Sequence, residues 1–165
     1  MGYGPSGADS QDTAAICRNG HVVTSVLSFH GPVGKFCERC GAEILVRCPA
    51  CDHAIDVNSG SLAFGEKWPR PQFCRECSAA YPWTVAAMEA ARELTGELDK
   101  LETEEQAQLA AAIPDLLADG PRTALAIART KRLLAKAGTV ATDSMRTVLV
   151  DVLSRVVERQ VFGGP

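Results

Sequence analysis

The second half of the chain carries its apolar residues at helical spacing, which predicts a bundle of helices. A first helix is expected behind Thr84, whose side chain can cap it. Thr103–Gln106 has the sequence of a capping box and predicts the start of a second helix, which Pro114 should break or kink near Ile113. The apolar stripe of the first helix consists of Ala87, Ala91, Leu94, Leu98 and Leu101.

Two further helices are predicted before the C-terminus. One should run from about Arg122 to Ala137 and stop at Gly138, and the last should run from about Thr142 to Gln160. The apolar face of the last helix is wider than one stripe, so this helix either lies deep in the bundle or meets a partner. That face consists of Met145, Val148, Leu149, Val152, Leu153 and Val156, widened by Val150, Val157 and Val161.

The first half has a different pattern, in which short apolar runs alternate with Gly, Pro and Cys. Residues 21–29 predict a strand followed by a turn, and shorter strands are expected at residues 35–36 and 44–46. Residues 56–71 contain several Gly and Pro and should form a loop. The first 14 residues are small and polar, which is typical of a disordered tail. Because this half has little apolar sequence, bound metal is expected to order it.

All seven cysteines lie in this first half, at the spacings of metal ligands. One Cys-x3-His motif precedes three Cys-x2-Cys pairs. A Cys-x2-Cys turn lets two thiolates converge on one tetrahedral ion, and two such turns complete a closed site. Seven cysteines are one ligand short of two sites, and the histidine supplies the eighth. The predicted ligands of two Zn²⁺ ions are Cys17, His21, Cys37 and Cys40 (site 1) and Cys48, Cys51, Cys74 and Cys77 (site 2).

The spacing allows two ways of pairing the ligands. In sequential pairing, as in tandem zinc ribbons, the first two ligand pairs share one ion and the last two share the other. In cross-brace pairing, as in RING-type modules, the pairs alternate between the ions. Sequential pairing is favoured, because the gaps of 15 and 22 residues inside the two sites are long enough for a hairpin. If His21 is not a ligand, His53 or His30 could replace it.

Four aromatic residues lie close to the second site in the sequence. Large aromatic side chains are buried more often than they are displayed, so the first interpretation is a small core that covers the metal turns. The alternative is an exposed groove that binds a peptide or a nucleic-acid base. The four residues are Trp68, Phe73, Tyr81 and Trp83.

The formal net charge of −3 argues against general binding to nucleic acid. The third predicted helix is locally basic, however, and its cations could contact phosphates. Acidic residues of the first two helices offer countercharge, so pairing within the chain is the simpler interpretation. The basic residues that fall on one side of this helix are Arg122, Arg129, Arg132 and Lys136.

The sequence shows no motif of a known catalytic site. G-x-S-x-G, the Walker loop and H-E-x-x-H are all absent from it. The N-terminus has no basic and apolar leader, and no stretch approaches the roughly 18 apolar residues of a membrane span. We therefore expect a cytoplasmic protein without a membrane partner, in which thiols stay reduced and serve as ligands.

Several short motifs occur together in this chain: Cys17-Arg-Asn-Gly-His-Val22, Phe36-Cys-Glu-Arg-Cys-Gly41, Cys48-Pro-Ala-Cys51, Cys74-Arg-Glu-Cys77, Tyr81-Pro-Trp-Thr84, and the Pro-Asp and Gly-Pro-Arg-Thr steps before the helices. Together they resemble an uncharacterised bacterial family of about this length, known as a domain of unknown function with an N-terminal zinc-ribbon region. The resemblance covers roughly residues 15–160. It implies the metal-ligand assignment and a bacterial cytosolic setting, and it implies no activity, substrate or partner.

The patterns together predict a small α+β protein. Tandem zinc ribbons, built from short antiparallel strands and zinc knuckles, should be followed by a C-terminal bundle of three or four helices. The expected segments are a disordered tail at residues 1–14, a double zinc-ribbon module at 15–80, a helical bundle at 81–162 and a frayed end at 163–165.

The function expected from these features is a non-enzymatic, zinc-binding adaptor or regulator that contacts a protein partner. The alternative is a zinc ribbon that binds nucleic acid through the basic third helix. A cross-brace zinc module or a metal-dependent enzyme is a third interpretation. The wide apolar face of the last helix could also support a homo-oligomer.

Overall fold

The computed structural model describes residues 13–56, 70–118 and 120–163. The chain divides into two compact units, Met1–Trp83 and Thr84–Pro165. The first holds short strands and two clusters of metal-ligand side chains, and the second holds helices. The predicted small α+β fold is therefore confirmed.

A three-stranded antiparallel sheet forms the frame of the first unit. Its strands are β1 (Ala15–Cys17), β2 (Val22–Thr24) and β3 (Ile44–Leu45), in the order β2-β1-β3. The middle strand pairs Ile16 with Val22 on one side and with Leu45 on the other. This pairing brings Cys17, at the end of β1, next to the chain that leads into the later cysteines.

The middle strand β1 was not predicted from the sequence. Its three residues are fully buried, as is Ala14, whose N–H donates to the carbonyl of Ile55 at 2.8 Å. Thr13 forms a bridge with Asp56, so the chain is already paired at a point assigned to the tail. A strand of three residues is too short to show an alternating pattern of apolar and polar residues. It is recognised only from its pairing with the two neighbouring strands.

The strand predicted over residues 21–29 is wrong beyond Thr24. Its second part forms a short helix, α1 (Leu27–His30). The hydroxyl of Thr24 accepts a hydrogen bond from the N–H of Val26 and lies 3.1 Å from the carbonyl of the same residue. This local turn ends the strand, because it turns the backbone away from the sheet. The loop expected at residues 56–71 lies mostly outside the described residues.

Five helices follow between Pro82 and Phe162. They are α2 (Pro82–Gly96), α3 (Thr103–Leu117), α4 (Thr123–Ala137), α5 (Thr139–Leu149) and α6 (Arg155–Phe162). Helix α4 packs against α3, α5 and α6, and one apolar core joins the bundle. In the described part of the chain, no helix is both long and apolar enough to cross a membrane.

Helix α3 differs from its prediction at both ends. The residue before the helix is Glu102, and the capping box joins Glu102 to Glu105, one residue earlier than the predicted Thr103–Gln106 box. The helix also continues through Pro114 to Leu117. A proline inside a helix removes one hydrogen bond and costs about 3 kcal/mol. Burial of the apolar side chains of this last turn offsets that cost; they are Ile113, Leu116 and Leu117.

The single last helix predicted from Thr142 to Gln160 is wrong, because the chain breaks between α5 and α6. Ser154 caps α6 by accepting a hydrogen bond from the N–H of Val157 at 3.3 Å. The break also buries Val152 and Leu153. Two short helices therefore share the apolar positions that were assigned to the wide face of one helix, and five helices form the bundle where three or four were predicted.

Candidate metal centres

The eight predicted ligands form two separate groups of four in the structure. Within each group, the four ligand atoms all lie within 4.8 Å of one another. The groups follow the sequential order, with the first four ligands of the chain in one group and the last four in the other. Either group could hold a metal ion. Site 1 comprises Cys17, His21, Cys37 and Cys40, and site 2 comprises Cys48, Cys51, Cys74 and Cys77.

The distances within both groups fit a tetrahedral metal ion. Three sulfur pairs, Cys17–Cys40, Cys48–Cys77 and Cys51–Cys74, are each separated by 3.7 Å. A tetrahedron with metal–sulfur distances of about 2.3 Å has edges of about 3.8 Å. A disulfide would need about 2.0 Å, and all seven cysteines are free. The donor sets therefore fit a divalent ion.

His21 faces site 1 through its Nδ1 atom. This nitrogen lies 3.3 Å from the Sγ of Cys40 and 3.7 Å from the Sγ of Cys37. Nitrogen and sulfur ligands of one tetrahedral zinc would stand about 3.5 Å apart, given Zn–N distances of about 2.0–2.1 Å. The histidine thus occupies the fourth corner of the cluster, where the Cys-x3-His spacing placed it.

Three hairpins with the same hydrogen-bond pattern carry the Cys-x2-Cys pairs. We call them knuckle 1 (residues 36–43), knuckle 2 (47–54) and knuckle 3 (73–80), each closed by a β-bridge between its end residues. In each, the N–H of the first cysteine donates to the carbonyl five residues later, and its own carbonyl accepts from the N–H four residues later. These bonds measure 2.7–2.9 Å for Cys37, Cys48 and Cys74.

The residue after the second cysteine of each knuckle has a left-handed backbone. These residues are Gly41 (φ 70°), Asp52 (φ 61°) and Ser78 (φ 61°). Glycine adopts this conformation without strain, and aspartate tolerates it better than most residues do. The sequence thus signals the turn at Gly41 and, more weakly, at Asp52. The conformation of Ser78 carries no such signal, because only the shared hairpin geometry requires it.

The remaining ligand pair of site 1 lies in the β1–β2 turn. The N–H of Cys17 donates to the carbonyl of His21 at 3.0 Å, and the N–H of Gly20 donates to the carbonyl of Cys17 at 2.7 Å. Gly20 has a φ of 83°. The N–H of His21 also lies 3.3 Å from the Sγ of Cys17, which orients the sulfur toward the cluster.

The cysteines of site 1 differ in how readily they ionise. Burial raises the pKa of Cys17, because the apolar interior disfavours the thiolate. The pKa of Cys40 is lowered to about 6, first because the backbone N–H of Ala42 donates to its sulfur, and also because the side chain of His21 hydrogen-bonds to that sulfur. Local hydrogen bonds thus favour the thiolate form of Cys40, whereas burial disfavours the thiolate form of Cys17.

The cysteines of site 2 also differ in how readily they ionise. The backbone N–H of His53 donates to Cys51, but burial and the neighbouring sulfurs outweigh it and raise the pKa of Cys51 to about 12. Burial opposes ionisation of Cys74, yet the N–H groups of Cys77 and Glu76 and the neighbouring thiols lower its pKa to about 6. Four thiols this close together cannot all ionise without a cation, because the thiolates would repel one another. A divalent cation between them would remove this repulsion.

Two of the four predicted aromatic residues form the core beside site 2. Tyr81 and Trp83 are buried and stack with ring centroids 4.6 Å apart. The hydroxyl of Tyr81 bonds to the Sγ of Cys74, and burial raises the pKa of Tyr81. Phe73, by contrast, is 37% exposed, so it does not belong to that core. Trp68 lies outside the described residues.

Neither alternative histidine joins a metal cluster. The Nε2 of His53 lies 2.9 Å from a carboxylate oxygen of Asp56. His30 ends α1 and is exposed. His30 does line a cleft of about 390 Å³ beside site 1, together with His21. The apolar residues of that cleft are Val22, Val23, Pro32, Val33, Phe36 and Ile44.

Acidic neighbours partly neutralise the basic residues of α4. Arg122 lies 2.9 Å from Asp115, and Lys136 lies 2.5 Å from Glu105. Hydrogen bonding to Asp115 raises the pKa of Arg122. Arg132 also acts on Glu105 electrostatically, and Arg129 is partly buried. The other two candidate contacts for nucleic acid, Arg122 and Lys136, thus already have partners within the bundle.

Comparison with known protein families identifies a match that covers most of the chain. The model of a family described as an uncharacterised protein conserved in bacteria (DUF2321) matches residues 10–161, which confirms the resemblance noted in the sequence. No curated protein and no solved structure matches the chain.

Proposed function

The chain belongs to the bacterial family DUF2321, and we propose that it is a non-enzymatic, zinc-binding adaptor or regulator that contacts a protein partner. The observation that carries the proposal is the pair of complete four-ligand clusters. A catalytic zinc keeps one position open for water or substrate, whereas a structural zinc has four protein ligands. Two closed sites therefore favour a structural role for the metal.

Zinc is the ion that suits these ligands best. Site 1 offers three sulfurs and one imidazole nitrogen, and site 2 offers four sulfurs. Soft thiolates in a tetrahedral array favour zinc over magnesium, calcium or manganese, which prefer oxygen ligands. The ligand thiols must stay reduced to bind, so we also propose the cytoplasm as the setting.

An exposed apolar surface beside site 1 supports a role in protein binding. Phe36, the residue before the first cysteine of knuckle 1, is 64% exposed and lines the cleft described above. A metal bound at site 1 would hold this side chain on a rigid hairpin. Rigid display of an aromatic side chain lowers the entropic cost of binding and is typical of interface anchors.

The first experiment measures the metal content of the purified chain. Elemental mass spectrometry should find two zinc ions per chain in the wild type. Replacing one ligand of each site separately, as in His21→Ala and Cys77→Ala, should leave about one ion per chain. Fewer than two ions in the folded wild type would refute the proposal of two closed sites.

The second experiment tests for a partner. The zinc-loaded chain is used to capture binding molecules from a bacterial lysate at low and high salt. Phe36→Ala should remove a protein partner, and Phe73→Ala is the matched control, because it alters the same position of knuckle 3. A protein that remains bound at high salt and is lost only with Phe36→Ala supports the adaptor.

Nucleic acid is the alternative outcome of the same experiment. Binding to phosphates releases counterions and weakens steeply as salt increases. Capture of nucleic acid at low salt only, lost on Arg129→Gln with Arg132→Gln, would replace the adaptor with the alternative predicted from the sequence. Capture of neither class of molecule would refute both.

A further inference from the structure

Asp56 is a nearly buried carboxylate that lies between the two knuckles of site 2. Its side chain is only 7% exposed. One oxygen, Oδ2, accepts a hydrogen bond from His53 at 2.9 Å and another from Arg75 at 3.3 Å. His53 belongs to knuckle 2 and Arg75 to knuckle 3. One carboxylate oxygen therefore joins both hairpins that supply the ligands of site 2.

Both partners of Asp56 lie next to metal ligands. The backbone of His53 makes two hydrogen bonds within knuckle 2. Its N–H donates to the Sγ of Cys51, and its carbonyl accepts from the N–H of Cys48 at 2.7 Å. Arg75 directly follows Cys74, the first ligand of knuckle 3. Asp56 thus contacts one residue whose backbone hydrogen-bonds to a ligand of site 2 and another that directly follows a ligand, without being a ligand itself.

The backbone around Asp56 is held in place as well. Asp56 pairs with Thr13 in a β-bridge, and the N–H of the preceding Ile55 donates to the carbonyl of Val46 at 3.0 Å. Ile55 is fully buried in the core that contains Cys48 and Cys74. The carboxylate therefore projects from a rigid part of the unit, so it can position the knuckles.

We propose that Asp56 is a positioning residue that assembles site 2 before the metal binds. This inference rests on the proposed metal-binding function. The 22 residues between Cys51 and Cys74 must close into a loop to bring the two hairpins together, and closing the loop costs entropy. Charge-assisted hydrogen bonds from both hairpins to one shielded carboxylate hold the hairpins together before the metal binds, so less entropy is lost on binding.

Among the residues that the structure describes, no shielded carboxylate joins the two halves of site 1, so this site provides the control. Its comparable ion pair joins Arg18 to Glu43 at 2.7 Å, but both side chains are about half exposed, at 49% and 53%. Exposed pairs contribute little, because water and salt screen them. Glu43→Gln is therefore the matched variant, in which a carboxylate next to a metal site is removed without loss of a shielded contact.

The test measures cobalt binding to each site of the full-length chain. Cobalt(II) replaces zinc in tetrahedral sites, and its absorption distinguishes three sulfurs and one nitrogen from four sulfurs. In competition with a chelator, Asp56→Ala should weaken the four-sulfur site about 10- to 100-fold, as is usual when a residue that orients a ligand is removed. Site 1 should keep its affinity, and Glu43→Gln should change neither site.

Two further variants keep the test decisive if Asp56→Ala does not fold. Asp56→Asn retains a hydrogen-bond acceptor and should recover part of the affinity. Arg75→Gln removes only the link to knuckle 3, at a side chain that is 63% exposed, and should still weaken site 2 selectively. A merely destabilised unit would weaken both sites together, and this result would overturn the proposal.

The failure of this inference can be distinguished from failure of the proposed function. A wild-type chain that binds fewer than two ions would refute the metal-binding function itself. A wild-type chain that binds two ions, with unchanged site-2 affinity in Asp56→Ala and Arg75→Gln, would refute only the role of Asp56.

Discussion

Alanine at Gly20 should damage site 1 far more than alanine at Gly41. Both glycines adjoin ligands of this site, and both have left-handed backbones, with φ values of 83° and 70°. Their surroundings differ. A Cβ atom at Gly41 would meet no atom of the described residues within 4 Å, whereas one at Gly20 would lie 2.6 Å from the Cζ of Arg70 and 2.9 Å from the Cβ of Trp83.

The two costs can be estimated separately. A left-handed backbone costs an alanine about 1–2 kcal/mol at either position. At Gly20, Arg70 must also move, although it donates a hydrogen bond to the Gly20 carbonyl. Trp83 cannot move easily, because it is 2% exposed and its Nε1 donates to the carbonyl of Pro71 at 2.9 Å. Overpacking of this kind adds about 1–3 kcal/mol.

The assay is competition for zinc between each variant and a chromophoric chelator. Where metal binding is coupled to folding, a less stable fold appears as weaker binding. We expect Gly41→Ala to lose about 5- to 30-fold in site-1 affinity and Gly20→Ala about 5- to 150-fold more than that, at about 1.4 kcal/mol per factor of ten. Adding Arg70→Ala should recover only part of the loss, because the contact with Trp83 remains. Equal losses at the two glycines would refute the steric argument.

Three further predictions concern single positions. Ser78→Gly should stabilise the metal-loaded unit by about 0.5–1 kcal/mol, because glycine relieves the left-handed backbone of knuckle 3 (φ 61°); a lower midpoint in thermal unfolding would contradict this. Pro114→Ala should stabilise the helical unit by about 1–3 kcal/mol, since α3 regains a hydrogen bond. Denaturant unfolding followed by circular dichroism measures this free energy, and any decrease in stability would count against the prediction. The hydrogen bond from Lys136 lowers the pKa of Glu105 below its usual 4.5. This pair therefore stabilises the fold above pH 4.5, and its contribution is lost as the pH falls through the lower pKa that Glu105 has in the folded state. In an NMR titration Lys136→Gln should raise the pKa of Glu105, and an unchanged value would show that the pair has no such effect.

Local patterns predicted the features that depend on neighbours in sequence. The Cys-x2-Cys spacing predicted three turns, and all three occur as hairpins with the same hydrogen bonds. Helical periodicity located the helices α2 to α4, with α4 starting one residue after the predicted Arg122. Predictions failed where distant contacts decide the outcome. Apolar packing carries α3 through Pro114, and burial of Val152 and Leu153 breaks the last helix without glycine or proline.

The sequence by itself determined two sets of four candidate metal ligands, because ligand spacing within a turn is a local property of the chain. Only the tertiary structure decided which pairs meet. The unpredicted strand β1 holds Cys17 beside the chain before knuckle 2, and Asp56 links two hairpins with 22 residues between Cys51 and Cys74. Such contacts join residues far apart in sequence, so no local pattern encodes them, and they form only when the core and both hairpins close together.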